Sequence, residues 1–434
     1  MNPGRLVFPA LSWRPESGFA HEADAIAAGL GFGAGGFLVR GGTADAVFDL
    51  TRRLRADAGR PLLIAAELER GPGQQVSGLD ELPPPAALAS LNDAAVLRGA
   101  GVLTAVEALS VGINWILAPV LDLDIESENP QIQTRAFGAD PDQVSVAGTA
   151  WIVGCEAGGA LACAKHFPGL AQSRADPRAA LKPFAAASAA GVSSMLLANA
   201  AFPALDPSGT PAPFSEPIVR LLREELGFGG LLASDAPELG ADAARAIGAG
   251  VDLLLGPSDP SAVARALAAS SSTGASVAGA LERYQSALEA APVEEQPERL
   301  PAAGSSVAAA DWLLSAPLLR GEPPPLTAPL DLSVVDEAEQ PDGPTVVAQI
   351  LSERGIALGP GGSRIVLALS EGNGFAAKHQ AALAREAPRA SLVILFGHPR
   401  LLSQLPGDAP VLLAWHRQRL MQEAAARWVA ERVR

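Results

Sequence analysis

Short apolar runs separated by Ala-rich stretches of helical period fill the first 260 residues. Eight of these runs read as strands: LVFPAL (6–11), GGFLVR (35–40), PLLIAAEL (61–68), NWILAPVLDL (114–123), ALACAKHF (160–167), SSMLLANAAF (193–202), GGLLASD (229–235) and VDLLLG (251–256). Each is six to ten residues long and lacks the strict in–out alternation of a half-exposed strand, as expected when both faces of a parallel sheet are covered. Between them, segments such as ADAVFDLTRRLRADA, SEPIVRLLREELG and GADAARAIGAG carry a helical period, and they frequently close on glycine, the usual C-terminal stop.

Eight β/α units in sequence predict a (β/α)8 barrel, and such a barrel keeps its chemistry at the C-terminal ends of the strands. Polar residues fall there repeatedly. Glu67 and Glu69, Asp122 and Asp124, Lys165 and His166, Asn199, and Ser234 and Asp235 all lie at or just past strand ends.

After Gly256 come two helical stretches, an acidic proline-bearing link (APVEEQPERLP), a further helix and the linker-like GEPPPLTAP. From about residue 330, DLSVVDE, RIVLALSE, SLVILFG and VLLAWH alternate with helical segments. The expected organisation is a barrel domain over 1–300, a linker over 301–329 and a small α/β sandwich-like domain over 330–434.

Composition narrows the function. Hydrophobic residues make up 48% of the chain, enough for a large core. A net charge of −15 gives nucleic acid and anionic membranes no basic patch to grip, so neither is expected as a partner. The longest uncharged window, 183–205, contains Gly191, Asn199 and Pro203 and reads as a helix followed by a strand rather than a membrane span. The opening MNPGRLVFPAL lacks the features of a secretory signal, and a cytoplasmic location is expected. Cys155 and Cys163 sit in apolar surroundings and read as reduced core residues. With only His21 and His166 in the barrel and no paired histidine spacing, no metal site is expected.

Asp235 ends an apolar strand, where a carboxylate is costly unless it caps the following helix or serves chemistry. Lys165 and His166 have three readings. They are a buried lysine with an acidic partner beside a core histidine, a Schiff-base lysine acting on a carbonyl substrate, or a pair of hydrogen-bond donors to sugar hydroxyls.

The ordered series PLLIAAELERGPGQQ, GINWILAPVLDLDIESENPQIQTRAFGADP, ALACAKHFPG, AAGVSSMLLANAAFPALDPSGTPAPFSEPIVRLLREELGFGGLLASDAPELGA and AIGAGVDLLLGP resembles glycoside hydrolase family 3, in particular its bacterial β-N-acetylhexosaminidases. RLVFPALSW and LFGHPRL are similar to longer members. The resemblance implies a retaining O-glycosyl hydrolase acting on β-linked N-acetylglucosaminides of cell-wall type, with no metal or organic cofactor. Asp235 would be the nucleophile, with Arg135, Lys165 and His166 holding sugar hydroxyls. Glu67 stands where the family usually has a hydroxyl-binding Asp, and Asn199 replaces a common His.

Downstream of KHFPG the chain departs from the family. The pattern KHFPGHGDT followed by DSH becomes GLAQS followed by ADPRAAL, so Asp176 aligns with the Asp of an acid/base dyad while Arg178 takes the place of its His. Arginine stays protonated and cannot shuttle a proton. Asp176, Glu69, Glu126, Glu128 and Glu238 remain as carboxyl candidates for the acid, and His398 belongs to the second domain. Two alternatives to the hydrolase follow, a catalytically impaired sugar-binding relative and a Schiff-base lyase built on Lys165.

Overall fold

The computed structural model describes residues 2–126, 129, 131–170, 177–235, 242–270, 274–291, 305–316, 319–322, 324–337, 345–370, 372 and 374–434. The chain divides into two compact units. Met1–Asp80, Asp93–Ile125 and Ala136–Ala302 form the first, and Glu81–Asn92, Glu126–Arg135 and Ala303–Arg434 form the second.

The first unit is built on nine parallel strands: β1 (Val7–Phe8), β2 (Ala10–Ser12), β3 (Gly36–Arg40), β4 (Leu63–Ala66), β5 (Trp115–Ile116), β6 (Leu161–Phe167), β7 (Ser194–Leu197), β8 (Leu231–Asp235) and β9 (Leu253–Leu255). Their order is β1-β9-β8-β7-β6-β5-β4-β3-β2. Only Pro9 separates β1 from β2, so the first apolar run is one strand broken at a residue without an N–H. One half pairs with β9 and the other with β3, which closes the barrel. All eight expected runs carry strands, and the fold is the (β/α)8 barrel.

Helices α1 (Ala23–Phe32), α2 (Ala44–Ala58), α4 (Ala94–Ser110), α5 (Pro141–Ala157), α6 (Pro177–Ala189), α7 (Glu216–Arg220), α8 (Ala243–Ala249), α9 (Pro260–Ala269) and α10 (Gly274–Ala290) belong to this unit, whereas α3 (Pro85–Ser90) belongs to the second. Their ends follow from local chemistry. Asp140 accepts hydrogen bonds from the N–H groups of Asp142 and Gln143, with Pro141 at the first helical position of α5. Helices α4 and α5 press together so closely that a Cβ on Gly154 would lie 2.1 Å from the Arg98 carbonyl oxygen.

The run 114–123 is strand only at Trp115–Ile116, because Pro119 interrupts the ladder. The chain nevertheless stays beside β6. Lys165 N–H donates to the Pro119 carbonyl (3.0 Å), and Leu121 N–H donates to the Lys165 carbonyl (2.6 Å). That path delivers Asp122 to the C-terminal end of the barrel, here called its mouth.

At the opposite end, the floor, buried polar groups tie strands together. Asp252, just before β9, accepts from Leu232 N–H, from Arg223 on the turn after α7, and through its other oxygen from Nε and Nη2 of Arg283 on α10. Glu156 at the end of α5 accepts from the N–H groups of Ala162 and Ser193 and from the Ser193 hydroxyl. Inside the barrel, Trp115 stacks edge-on against Phe8 at 5.5 Å, and its indole N–H donates to Ser194 Oγ. Cys155 and Cys163 are buried and unpaired.

The second unit has a four-stranded parallel sheet of β10 (Asp331–Asp336), β11 (Arg364–Leu369), β12 (Leu392–Phe396) and β13 (Val411–Leu413), in that order. Helix α11 (Ser305–Leu314) lies in the stretch expected as linker. Its Ala310 and Leu314 join Trp428 of α14 (Arg419–Ala430) in the core on one face of the sheet, together with Leu351 of α12 (Val346–Glu353). Leu383 of α13 (Ala377–Glu386) and Phe375 cover the other face. Segment Glu81–Asn92 is bound into this unit by Gln418 Nε2, which donates to the Leu82 carbonyl at 2.7 Å. Among the described residues no helix is long and apolar enough to cross a membrane. The uncharged window 183–205 divides between the end of α6 and β7.

Candidate active site

Asp235 is the last residue of β8 and lies half-buried at the mouth. Among the described residues its carboxylate takes part in no hydrogen bond and no ion pair. Burial pushes its pKa above the ordinary aspartate value; the charge of Lys165 opposes this, Glu67 adds to it, and His166 and Arg40 oppose it. Lys165 and His166 from β6, Glu67 just past β4 and Arg40 from β3 therefore lie within electrostatic reach of one open carboxylate.

Lys165 and His166 both reach the mouth from β6 although they are neighbours in sequence. The pairing of β6 with β7 shifts register between Lys165 and Phe167, an irregularity that breaks the strict alternation of a strand. Lys165 is buried, and its ammonium lies 2.7 Å from Oε1 of Glu69, itself 4% exposed. His166 is held through Nδ1, 2.7 Å from Oδ2 of Asp122. Asp122 is fully buried and also accepts from the backbone N–H groups of His166 (3.2 Å) and Leu170 (2.7 Å). With Nδ1–H donated to a carboxylate, the ring orientation is fixed.

The remaining expected residues divide into several groups. Glu67, just past β4, is half-buried and has no hydrogen-bond or ion-pair partner among the described residues. Asn199, just past β7, is exposed. Arg135 ends the turn Gln133–Arg135 inside the second unit, where its guanidinium donates to the Gln131 carbonyl at 2.6 Å. Arg178 stands exposed in the first turn of α6. Asp176, Glu128 and Glu238 lie outside the described residues. Glu69 is removed from the acid candidates, because its carboxylate is committed to Lys165 in a buried pair. His398 caps a short turn in the second unit, its Nδ1 accepting from Arg400.

The burial of Lys165 in its pair with Glu69 also argues against a Schiff base, since a carbonyl substrate has no approach to an amine 1% exposed. Among the described residues no group of three or more His, Cys, Asp or Glu is placed to hold a metal.

Two partnerships escape sequence reasoning. Asp122 and Glu69 are visible as polar residues at strand ends, but their pairing with His166 and Lys165 crosses between strands. The only trace in the sequence is that two basic side chains end β6 while carboxylates follow the neighbouring β5 segment and β4, one strand further on. Arg40, ending β3, gives no signal beyond its place at a strand end.

Residues 35–287 match the model of the family described as Glycosyl hydrolase family 3 N terminal domain. The chain is 31% identical over 259 residues to a Cellulomonas fimi protein named β-N-acetylglucosaminidase/β-glucosidase, covering 52% of this chain and 46% of that one. It is 35% identical over 227 residues to a β-hexosaminidase of Chromobacterium violaceum, covering 46% and 61% respectively. The match thus spans less than two thirds of either relative's length. Among solved structures, a family 3 β-N-acetylglucosaminidase from Paenibacillus superposes over 100% of this chain and 96% of its own with a TM-score of 0.82. At 22% identity that likeness speaks for the fold.

Proposed function

We propose that this chain, which belongs to glycosyl hydrolase family 3, is a retaining β-N-acetylhexosaminidase acting on β-linked N-acetylglucosaminides. The observation that carries the reading is an open carboxylate, Asp235, within electrostatic reach of Lys165 and His166, each held in place by its own carboxylate. Asp235 attacks the anomeric carbon, the bond to the aglycone oxygen breaks, and the sugar is held as an ester of the enzyme. Water then cleaves that ester, and the two displacements return the original configuration. His166 offers Nε2 to a sugar hydroxyl, while Glu67 and Asn199 complete the polar rim of the same mouth. The leaving group takes its proton from Asp176, the carboxyl that aligns with the family's dyad aspartate. The role given to Arg135 rests on the resemblance alone.

The test is hydrolysis of an aryl β-N-acetylglucosaminide by purified protein and by Asp235→Asn. Turnover lost in the variant supports the reading, and absence of turnover in the parent protein removes it. A second reading is favoured by Arg178, exposed on α6 where the family has its proton-shuttling His. A protein of that kind binds N-acetylglucosamine without cleaving glycosides, and binding calorimetry beside the assay separates the two. Hydrolysis unaffected by Arg178→His would show that the acid is a carboxyl elsewhere.

A further inference from the structure

Among the four charges that face Asp235, three have clear assignments. Lys165 is matched by Glu69, His166 is matched by Asp122, and Glu67 is a second anion. The fourth belongs to Arg40, and no activity described above uses it. Its backbone is pinned: Trp13 N–H donates to its carbonyl at 2.8 Å, and the next residue, Gly41, donates to Gln75 Oε1 at 3.1 Å. Its side chain is exposed and, among the described residues, makes no hydrogen bond and no ion pair. The guanidinium reaches across the end of the barrel to Gly256, with Nη2 3.8 Å from where a Cβ on that glycine would stand. Gly256 follows Leu255, which is paired in register with Asp235. A cation with no carboxylate partner among the described residues is thus carried from β3 to the strand beside the open carboxylate.

We propose that Arg40 is a positioning residue for the reaction, supplying the uncompensated positive field that keeps Asp235 ionised before a sugar enters. Lys165 favours the ionised form most and Arg40 least, but Lys165 and His166 are each tied to a carboxylate, Glu69 and Asp122. The Arg40 guanidinium has no such counter-carboxylate among the described residues. The role needs charge and not a fork of hydrogen bonds, so lysine is expected to substitute.

The inference rests on Asp235 being the group whose ionisation matters, and its test is independent of turnover. Protein labelled with ¹³C at the aspartate carboxyl carbons is titrated by NMR, and the Asp235 resonance is identified by its loss in Asp235→Asn. In Arg40→Gln the Asp235 midpoint is expected to rise by roughly 0.5–1 pH unit. In Arg40→Lys most of that rise is expected to vanish. With turnover, the acidic limb of kcat/KM moves to higher pH in Arg40→Gln alone. An unmoved midpoint in Arg40→Gln overturns the inference, even if hydrolysis depends on Asp235. A moved midpoint without any hydrolysis leaves this inference standing and removes the hydrolase reading. Because the side chain has no hydrogen-bond or ion-pair partner among the described residues, unfolding curves for the Arg40 variants are expected to overlay the parent.

Discussion

Asp252 and Asp235 stand at opposite ends of neighbouring strands. At the floor, Asp252 is wholly buried, and both of its oxygens are taken by two arginines and a backbone N–H. At the mouth, Asp235 is half-buried and has no such partner among the described residues, only charges at a distance. The same residue type therefore does two jobs. Where lone pairs are matched, a buried carboxylate fastens elements together; where they are left open beside fixed cations, its reactivity is kept for a ligand. Glu156 and Glu67 repeat the contrast. The floor glutamate accepts three hydrogen bonds, and the mouth glutamate accepts none among the described residues.

The sharpest way to break this comparison is to neutralise each aspartate. Asp235→Asn is expected to lower kcat/KM by roughly 10³-fold or more, as removal of a nucleophile does. Its stability at neutral pH should equal or exceed that of the parent. The sign follows from the raised pKa: a carboxyl that binds its proton more tightly when folded loses stability as pH rises from its unfolded value through its folded one, and Asn removes that loss. A variant that unfolds more readily in urea would place Asp235 with the floor group. Asp252→Ala should do the reverse, costing about 2–3 kcal/mol in denaturant unfolding, below the ~3–5 kcal/mol of a fully buried pair because the two guanidinium groups that lose their counter-charge are only half-buried. A loss under about 1 kcal/mol would remove the structural role assigned to the floor.

Smaller effects refine the picture. Asp122→Asn weakens the charge-assisted bond that orients His166, worth about 1.5–3 kcal/mol, so kcat/KM should fall ten- to hundredfold while the fold survives. Unchanged kinetics would show that His166 needs no such anchor. Glu156, whose pKa burial raises above the usual glutamate value, contributes stability that is fully present below the unfolded-state value and fades as pH rises through the folded one. The stability of the parent relative to Glu156→Gln should accordingly decline from pH 4 towards pH 7. A difference that grows with pH would mean that the hydrogen bonds from Ala162 and Ser193 outweigh desolvation.

The barrel was legible in the sequence because every strand is an apolar run bounded by a helical period, a signal local to each unit. Lys165, His166 and Asp235 were legible because a charge at the end of such a run contrasts with its neighbours. The Lys165–Glu69 and His166–Asp122 pairs were not, since they join the ends of different strands and depend on the registers of β4, β5 and β6 together. Nor did composition reveal that Glu81–Asn92 and Glu126–Arg135, which leave the chain between barrel strands, belong to the second unit. Pro119 shows the limit from the other side. It shortened a ten-residue run to a two-residue strand while backbone hydrogen bonds kept the chain on the same path.

The central claim is that the open carboxylate at the mouth forms the bond to the sugar. It is tested most directly by trapping: the protein is exposed to an activated β-N-acetylglucosaminide that forms its ester faster than water cleaves it, then quenched in acid, digested and weighed by mass spectrometry. The account predicts one added sugar on the peptide containing Asp235, and none in Asp235→Asn. Turnover accompanied by an adduct on another residue, or hydrolysis that inverts the anomeric configuration, would contradict it.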